Sequence, residues 1–179
     1  IKKWSMIWRQ SQLLQKWPSS RRLQGGEMYR SILIQAEDFS LDSALAELKT
    51  QSGLAGGLCF FTGAVRNSNL DEAVGGLYLE HYPGMTERQL DQIVDEAARR
   101  WQLHGVIVIH RIGQLMPGDN IVLVAVAASH RGEAFEACEM MMDYLKTNAT
   151  FWKKESISDG HRWVEARSSD QTKATAWDA

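Results

Sequence analysis

The chain has 179 residues, enough for one domain with its own core, whereas two domains would each be small. Its 20 Lys and Arg against 22 Asp and Glu leave a formal net charge of −2, so any anion recognition must come from a local cluster. That balance excludes a general attraction to nucleic acid or to an anionic membrane. No run approaches the ~18 consecutive apolar residues of a membrane span, and no secretory leader pattern opens the chain, which points to the cytoplasm.

The first 27 residues mix three tryptophans with Lys, Arg and Gln and show no sustained period, so no ordered element is expected there. Met28 reads as the natural start of a single domain over 28–179. From Tyr29 to Glu37, Ile32 and Ile34 alternate with polar neighbours and predict a strand. Ser40 is placed to cap a helix through LDSALAELKTQSG, with Leu41, Leu45 and Leu48 at helical spacing and Gly53 as the stop. The run 56-GGLCFFTGAV-65 predicts a buried strand, and 66-RNSNLDEAVGG-76 a polar loop long enough to be a mobile flap.

A strand over 76-GLYLEHY-82 ends at Pro83-Gly84. Thr86 and Gln89 then resemble a capping box for a helix to Trp101, with Ile93, Val94, Ala97, Ala98 and Trp101 inward. The β-branched runs 105-GVIVIHRIG-113 and 120-NIVLVAVAAS-129 flank the turn 116-MPGD-119 and predict two further strands. A helix from Arg131 or Gly132 to about Thr147 places Phe135, Cys138, Met142 and Leu145 on one inward face. A short extended piece, 161-HRWVEA-166, precedes a polar tail. The order βαββαββα predicts an α+β fold, a mostly antiparallel sheet packed with helices.

The stretch 143-DYLKTNATFWKKE-155 gathers Lys146, Lys153 and Lys154 around Phe151 and Trp152 where that last helix ends. Cations there are favoured by the helix dipole without any function, yet they can equally wall a pocket for an anion. His130-Arg131 can be a polar helix start or an anion-binding corner at a helix N-terminus. Arg66 follows a strand end and can be a solvated loop residue or part of the same pocket, and Arg162 and Arg167 bracket the late extended piece. Residues alone therefore reach an α+β domain with a cationic pocket built from Arg66, His130, Arg131, Lys146 and Lys153, the bland readings still open.

The five histidines form no ligand spacing, the cysteines no C-x-x-C pair, and the phosphate-loop, dinucleotide and serine-hydrolase motifs are missing. No metal and no cofactor is expected. Cys59 and Cys138 read as small buried hydrophobes.

The runs 60-FFTGAVRNSN-69, 80-EHYPGMTE-87, 109-IHRIGQLMPGD-119, 129-SHRGEAFEA-137 and 143-DYLKTNATFWKKE-155 with 162-RWVEAR-167 resemble the large, catalytic subunit of molybdopterin synthase, the MoaE family, collinearly from about Tyr29 to Trp177. The resemblance implies an α/β hammerhead-like fold and a sulfur transfer that converts cyclic pyranopterin monophosphate, precursor Z, into the molybdopterin dithiolene. Its implied partner is a small ubiquitin-like sulfur-carrier subunit whose C-terminal Gly-Gly bears a thiocarboxylate. Two large subunits are implied to form a homodimer within a heterotetramer. Matched to the family's motifs, Lys146 and Lys153 are the catalytic pair, and Arg66, His130, Arg131 and, more weakly, Arg167 bind substrate. Lys146 is expected nearest the glycine carbonyl and Lys153 on the pterin side, with Lys154 turned elsewhere.

Residues 1–27 depart from the family pattern. One back-translation of KWPSSRRLQGGE in another frame reads VAFFPPVTGG followed by a stop, similar to the small subunit's C-terminus. The extension is therefore expected to be an out-of-frame start rather than native protein, or disordered if real. Two other classes stay open beside the resemblance. One is a scaffold that binds a ubiquitin-like tail without catalysis, the other a sulfurtransferase carrying a persulfide on Cys59 or Cys138.

Overall fold

Two apolar strands make the centre of the fold, and both faces of each are covered, which is why they read as unbroken hydrophobic runs. The computed structural model describes residues 20–21, 28–69, 72–73, 75–157, 160–164 and 168–178. In chain order its elements are β1 (Ser20–Arg21), β2 (Tyr29–Gln35), α1 (Leu41–Gln51), β3 (Gly57–Ala64), β4 (Ser68–Asn69), β5 (Glu72–Ala73), β6 (Gly76–His81) and α2 (Met85–Arg100). There follow β7 (Leu103–Arg111), β8 (Gly113–Leu115), β9 (Asn120–Ala128), α3 (Arg131–Asn148), β10 (Phe151–Ile157), β11 (Gly160–Val164) and α4 (Ser168–Ala176).

A five-stranded sheet has the order β1-β2-β7-β9-β3, and a four-stranded sheet the order β11-β10-β6-β8. Among the described residues every pairing is antiparallel except β2 with β7, so the α+β class with antiparallel sheets packed by helices holds. Alternation along the central strands sorts the core. Val106 and Val108 of β7 with Val122, Val124 and Val126 of β9 pack beneath α2 and α3, against Leu90, Val94, Met141 and Leu145. Ile107, Ile109, Leu123 and Ala125 face the other way, toward Ala44 and Leu48 of α1.

Local chemistry explains most boundaries. Ser40 accepts the backbone N–H of Ser43 and opens α1, as its position predicts. Gly84 enters α2 with φ +79, a conformation glycine adopts without a Cβ penalty, and its N–H donates to Glu87 Oε2 at 2.6 Å. Glu87, not Thr86 with Gln89, supplies that cap. Gly57 lets β3 start against the first turn of α3, since a Cβ there would meet Arg131 N at 2.9 Å.

Several expectations are corrected. The strand expected to be buried, β3, is a sheet edge, with Phe61 40% exposed. Within the expected flap, β4 and β5 pair as a hairpin. Phe135, expected inward on α3, is 62% exposed, while Ala134, Ala137, Met140, Met141 and Tyr144 join Cys138, Met142 and Leu145 inside. Ala98 of α2 and Leu41 of α1 are exposed too. The bend expected after α3 is a full strand, β10, held between β6 and β11, and the polar tail contains α4. In the N-terminal extension Ser20 and Arg21 pair with Ser31 and Arg30 of β2, and the expectation for residues 1–19 and 22–27 lies outside the described residues.

Candidate functional site

The direction of each element decides which basic residues can meet. β9 runs from Asn120 to Ala128, and α3 returns over it and over β3. Cys138, midway along α3, lies against the middle of β9, its Sγ 3.9 Å from Val124 O. The C-terminal turn of α3, with Lys146, therefore lies over the start of β9. Arg66 is at that same end, because Ala64 pairs with Asn120 and Val65 exchanges backbone hydrogen bonds of 2.9 Å with Asp119 O and Gly118 N.

Lys153 joins them through β10. The strand enters beside the end of β7, where the Phe151 ring stacks on His110, whose own partner on β9 is Val122. In the pleat Lys153 shares the face of Phe151, and its charge reaches His110. Lys153 is half-buried and Lys146 exposed. Trp152 and Lys154 occupy the opposite face of the strand.

His130 and Arg131 are elsewhere. They sit at the N-terminal end of α3, beside Gly57 and the last residues of β9, both exposed. Fifteen helical steps separate Arg131 from Lys146, a rise of about 22 Å, more than the two side chains can span. One chain thus carries Arg66, Lys146 and Lys153 at one end of the main sheet and His130 with Arg131 at the other. Arg167 lies outside the described residues.

His110 is the member of this region that sequence reasoning passed over. It is 2% exposed, and its Nδ1–H donates to Arg111 O at 2.8 Å, which fixes the tautomer. Burial pushes its pKa down to about 3, with the charges of Lys153 and His81 lowering it further and the Arg111 carbonyl opposing. The ring is therefore neutral at physiological pH, an uncharged wall beside Lys153. The strand's own alternation held the signal, since His110 continues the inward parity of Val106 and Val108.

Neighbouring contacts stiffen the same end. Arg111 donates to Ala36 O at 3.2 Å and Asn120 O at 3.1 Å, and lies 3.5 Å from Asp38, tying the end of β2 to the start of β9. The Asn120 amide, the Phe39 N–H and Arg111 together hold the Asp38 carboxyl below its usual range. His81, the cross-strand neighbour of Phe151, meets Glu87 at 3.5 Å.

Cys138 is buried, and burial, with Cys59 beside it, pushes its thiol well above the ordinary range, the reverse of what a sulfur nucleophile needs. Among the described residues no group of three or more His, Cys, Asp or Glu is arranged to hold a metal ion, and no helix is long and apolar enough to cross a membrane.

The fold is thus an α+β domain of two sheets whose elements bring two lysines and an arginine to one end of the main sheet. Residues 34–148 match the MoaE protein family model, and the chain belongs to that family. It is 60% identical over 122 residues to the molybdopterin synthase catalytic subunit of Escherichia coli, covering 68% of this chain and 81% of that one. With the catalytic subunit of Vibrio cholerae it shares 50% over 151 residues, 84% of this chain and the whole of the relative. Among solved structures, the MoaE protein of Burkholderia ambifaria superposes with a TM-score of 0.72 at 49% identity, covering 83% of this chain and 97% of that one. Molybdopterin synthase from Staphylococcus aureus superposes at 0.67 with 31% identity, covering 74% and 95%. These relatives set the chain among the enzymes of molybdenum cofactor biosynthesis.

Proposed function

We propose that the chain transfers sulfur from the C-terminal thiocarboxylate of a small ubiquitin-like subunit to cyclic pyranopterin monophosphate, building the molybdopterin dithiolene. The observation that carries this reading is the shared location of Lys146, Lys153 and Arg66 at one end of the sheet, in a chain of the MoaE family. Each transfer breaks a carbon–sulfur bond at the acyl carbon, which water converts to the glycine carboxylate, and forms a carbon–sulfur bond on the pterin side chain in place of a carbon–oxygen bond. Two anionic groups must approach each other during it, at a cost of several kcal/mol in a poorly hydrated hollow unless fixed cations stand between them.

The two lysines are suited to different halves of that task. Lys146, exposed at the helix end, meets the arriving Gly-Gly tail and offsets the charge of its thiocarboxylate. Lys153, half-buried against the neutral His110, serves the pterin side, where an ammonium can hold or pass a proton. Arg66 offers a planar fork for the phosphate. Arg167 is assigned to substrate from the family resemblance alone.

His130 and Arg131 lie too far from Lys146 to serve the same hollow within one chain. They act in the hollow of a neighbouring copy, in a homodimer that carries a small subunit at each end, a heterotetramer. Incubating the purified chain with precursor Z and thiocarboxylated small subunit, and scoring dithiolene, tests the activity. Tail binding without dithiolene would leave only a scaffold.

A further inference from the structure

Two residues separate the elements that carry the lysines of the proposed site. α3 ends at Asn148, β10 begins at Phe151, and Ala149 already has extended dihedrals of φ −91° and ψ 128°. A joint this short has soft backbone angles and sets no fixed angle between helix and strand by itself. Something outside it must hold it.

The N-terminal end of α2 does so. The Thr150 N–H donates to Gln89 Oε1 at 2.9 Å, and Thr86 Oγ1 lies 3.1 Å from Thr150 O. Thr86 is fully buried. Its oxygen accepts the Tyr82 N–H at 3.1 Å, and its single hydrogen lies between Tyr82 O and Thr150 O, each at 3.1 Å. Tyr82 O already receives the N–H groups of Met85 and Thr86, so Thr150 O has the greater need of the hydroxyl. Thr86 and Gln89 are three residues apart and so share a helix face. The helix start is itself pinned by Gly84 and Glu87, which makes the grip rigid. One residue further on, the stack of Phe151 on His110 stops the strand from rotating.

We infer that Thr86 and Gln89 are positioning residues: by holding both backbone polar groups of Thr150 they set the separation and mutual orientation of Lys146 and Lys153. The inference rests on the sulfur-transfer reading above. Neither residue touches substrate; each acts through the joint.

The test uses the full chain with thiocarboxylated small subunit and precursor Z, read as a single-turnover rate, together with amide hydrogen exchange over residues 149–153. Thr86→Val keeps the side chain's shape and removes the hydroxyl, and Gln89→Leu removes the acceptor; Thr86→Ser and Gln89→Glu keep the bonding groups. The Val and Leu variants should exchange faster at Thr150 and lose about 10- to 100-fold in rate, with half-saturation for the pterin within about threefold of wild type. The Ser and Glu variants should stay within about threefold in rate. A wild-type rate in the Val and Leu variants despite faster exchange overturns the inference. So does a loss that vanishes once corrected for folded fraction, or one that Ser and Glu fail to restore. Lys146→Ala and Lys153→Ala run alongside: wild-type rates there sink the catalytic reading and this inference with it, whereas dead lysine variants beside a fully active Thr86→Val sink the grip alone.

Discussion

His110 lies flat on Phe151, ring centroids 3.6 Å apart and planes 13° from parallel, so the end of β7 in the main sheet and the start of β10 in the second sheet are joined by a stacked pair. The stack buries an imidazole that stays neutral, and this has a consequence for stability. The folded chain refuses a proton until about pH 3, whereas the unfolded chain takes it up near the ordinary value of 6.5. Well above pH 6.5 neither state is protonated and His110 gives stability no pH dependence. As pH falls from 6.5 toward 3 the unfolded state binds the extra proton and stability drops. Melting temperature followed across that window should fall less steeply in His110→Gln than in the wild type; parallel curves would contradict the assignment.

Gly57 should not tolerate a side chain. A Cβ there would sit 2.9 Å from Arg131 N and 3.0 Å from His130 C, both backbone atoms that cannot swing aside. Gly57→Ala should therefore cost about 1–3 kcal/mol by urea unfolding. It should also shift the α3 N-terminus that carries His130 and Arg131. An unchanged urea midpoint would show that β3 and α3 approach less closely.

The cysteines should be dispensable for sulfur transfer. Burial raises the Cys138 thiol and its neighbour Cys59 raises it further, so little thiolate forms near neutral pH. Cys59→Ser and Cys138→Ala should each transfer sulfur within about threefold of the wild-type rate, with a stability loss confined largely to Cys138. A loss of activity in either variant, with the fold intact, would favour a persulfide carrier.

Much of the architecture was legible because its causes are local or periodic. The runs that became β7 and β9 are β-branched and apolar on both faces, and Ser40 caps α1 where a serine before an apolar period should. What escaped depends on partners distant in the chain. β10 carries Lys153, Lys154 and Glu155 and looks like a helix exit; it is a strand because β6 and β11 supply hydrogen bonds on both edges. Thr86 and Gln89 have the spacing of a capping box, but their side chains are drawn to Thr150, some 60 residues on, while Glu87 caps. Phe135 matches the inward period of α3 yet stays exposed, because the buried face is completed by Ala134, Ala137 and Met141. For the site, Arg66, Lys146 and Lys153 could be placed at element ends from sequence. The separation of His130 and Arg131 from them follows only from the length and direction of α3.

That separation yields a complementation test. If His130 and Arg131 serve a neighbouring copy, Lys153→Ala and Arg131→Ala chains are each inactive as homodimers. When the two are mixed and allowed to exchange, half the dimers are mixed and each holds one site with both wild-type residues. Activity should return to about a quarter of the wild-type level. No recovery, with mixed dimers demonstrated by mass, would confine each site to one chain.

The central claim is that Lys146 and Lys153 carry the sulfur transfer, and single-turnover dithiolene formation by Lys146→Ala and Lys153→Ala measures it most directly. With both variants folded and still binding the small subunit, the rate should fall by about 100-fold or more in each. Dithiolene formed at the wild-type rate by either variant would contradict the account.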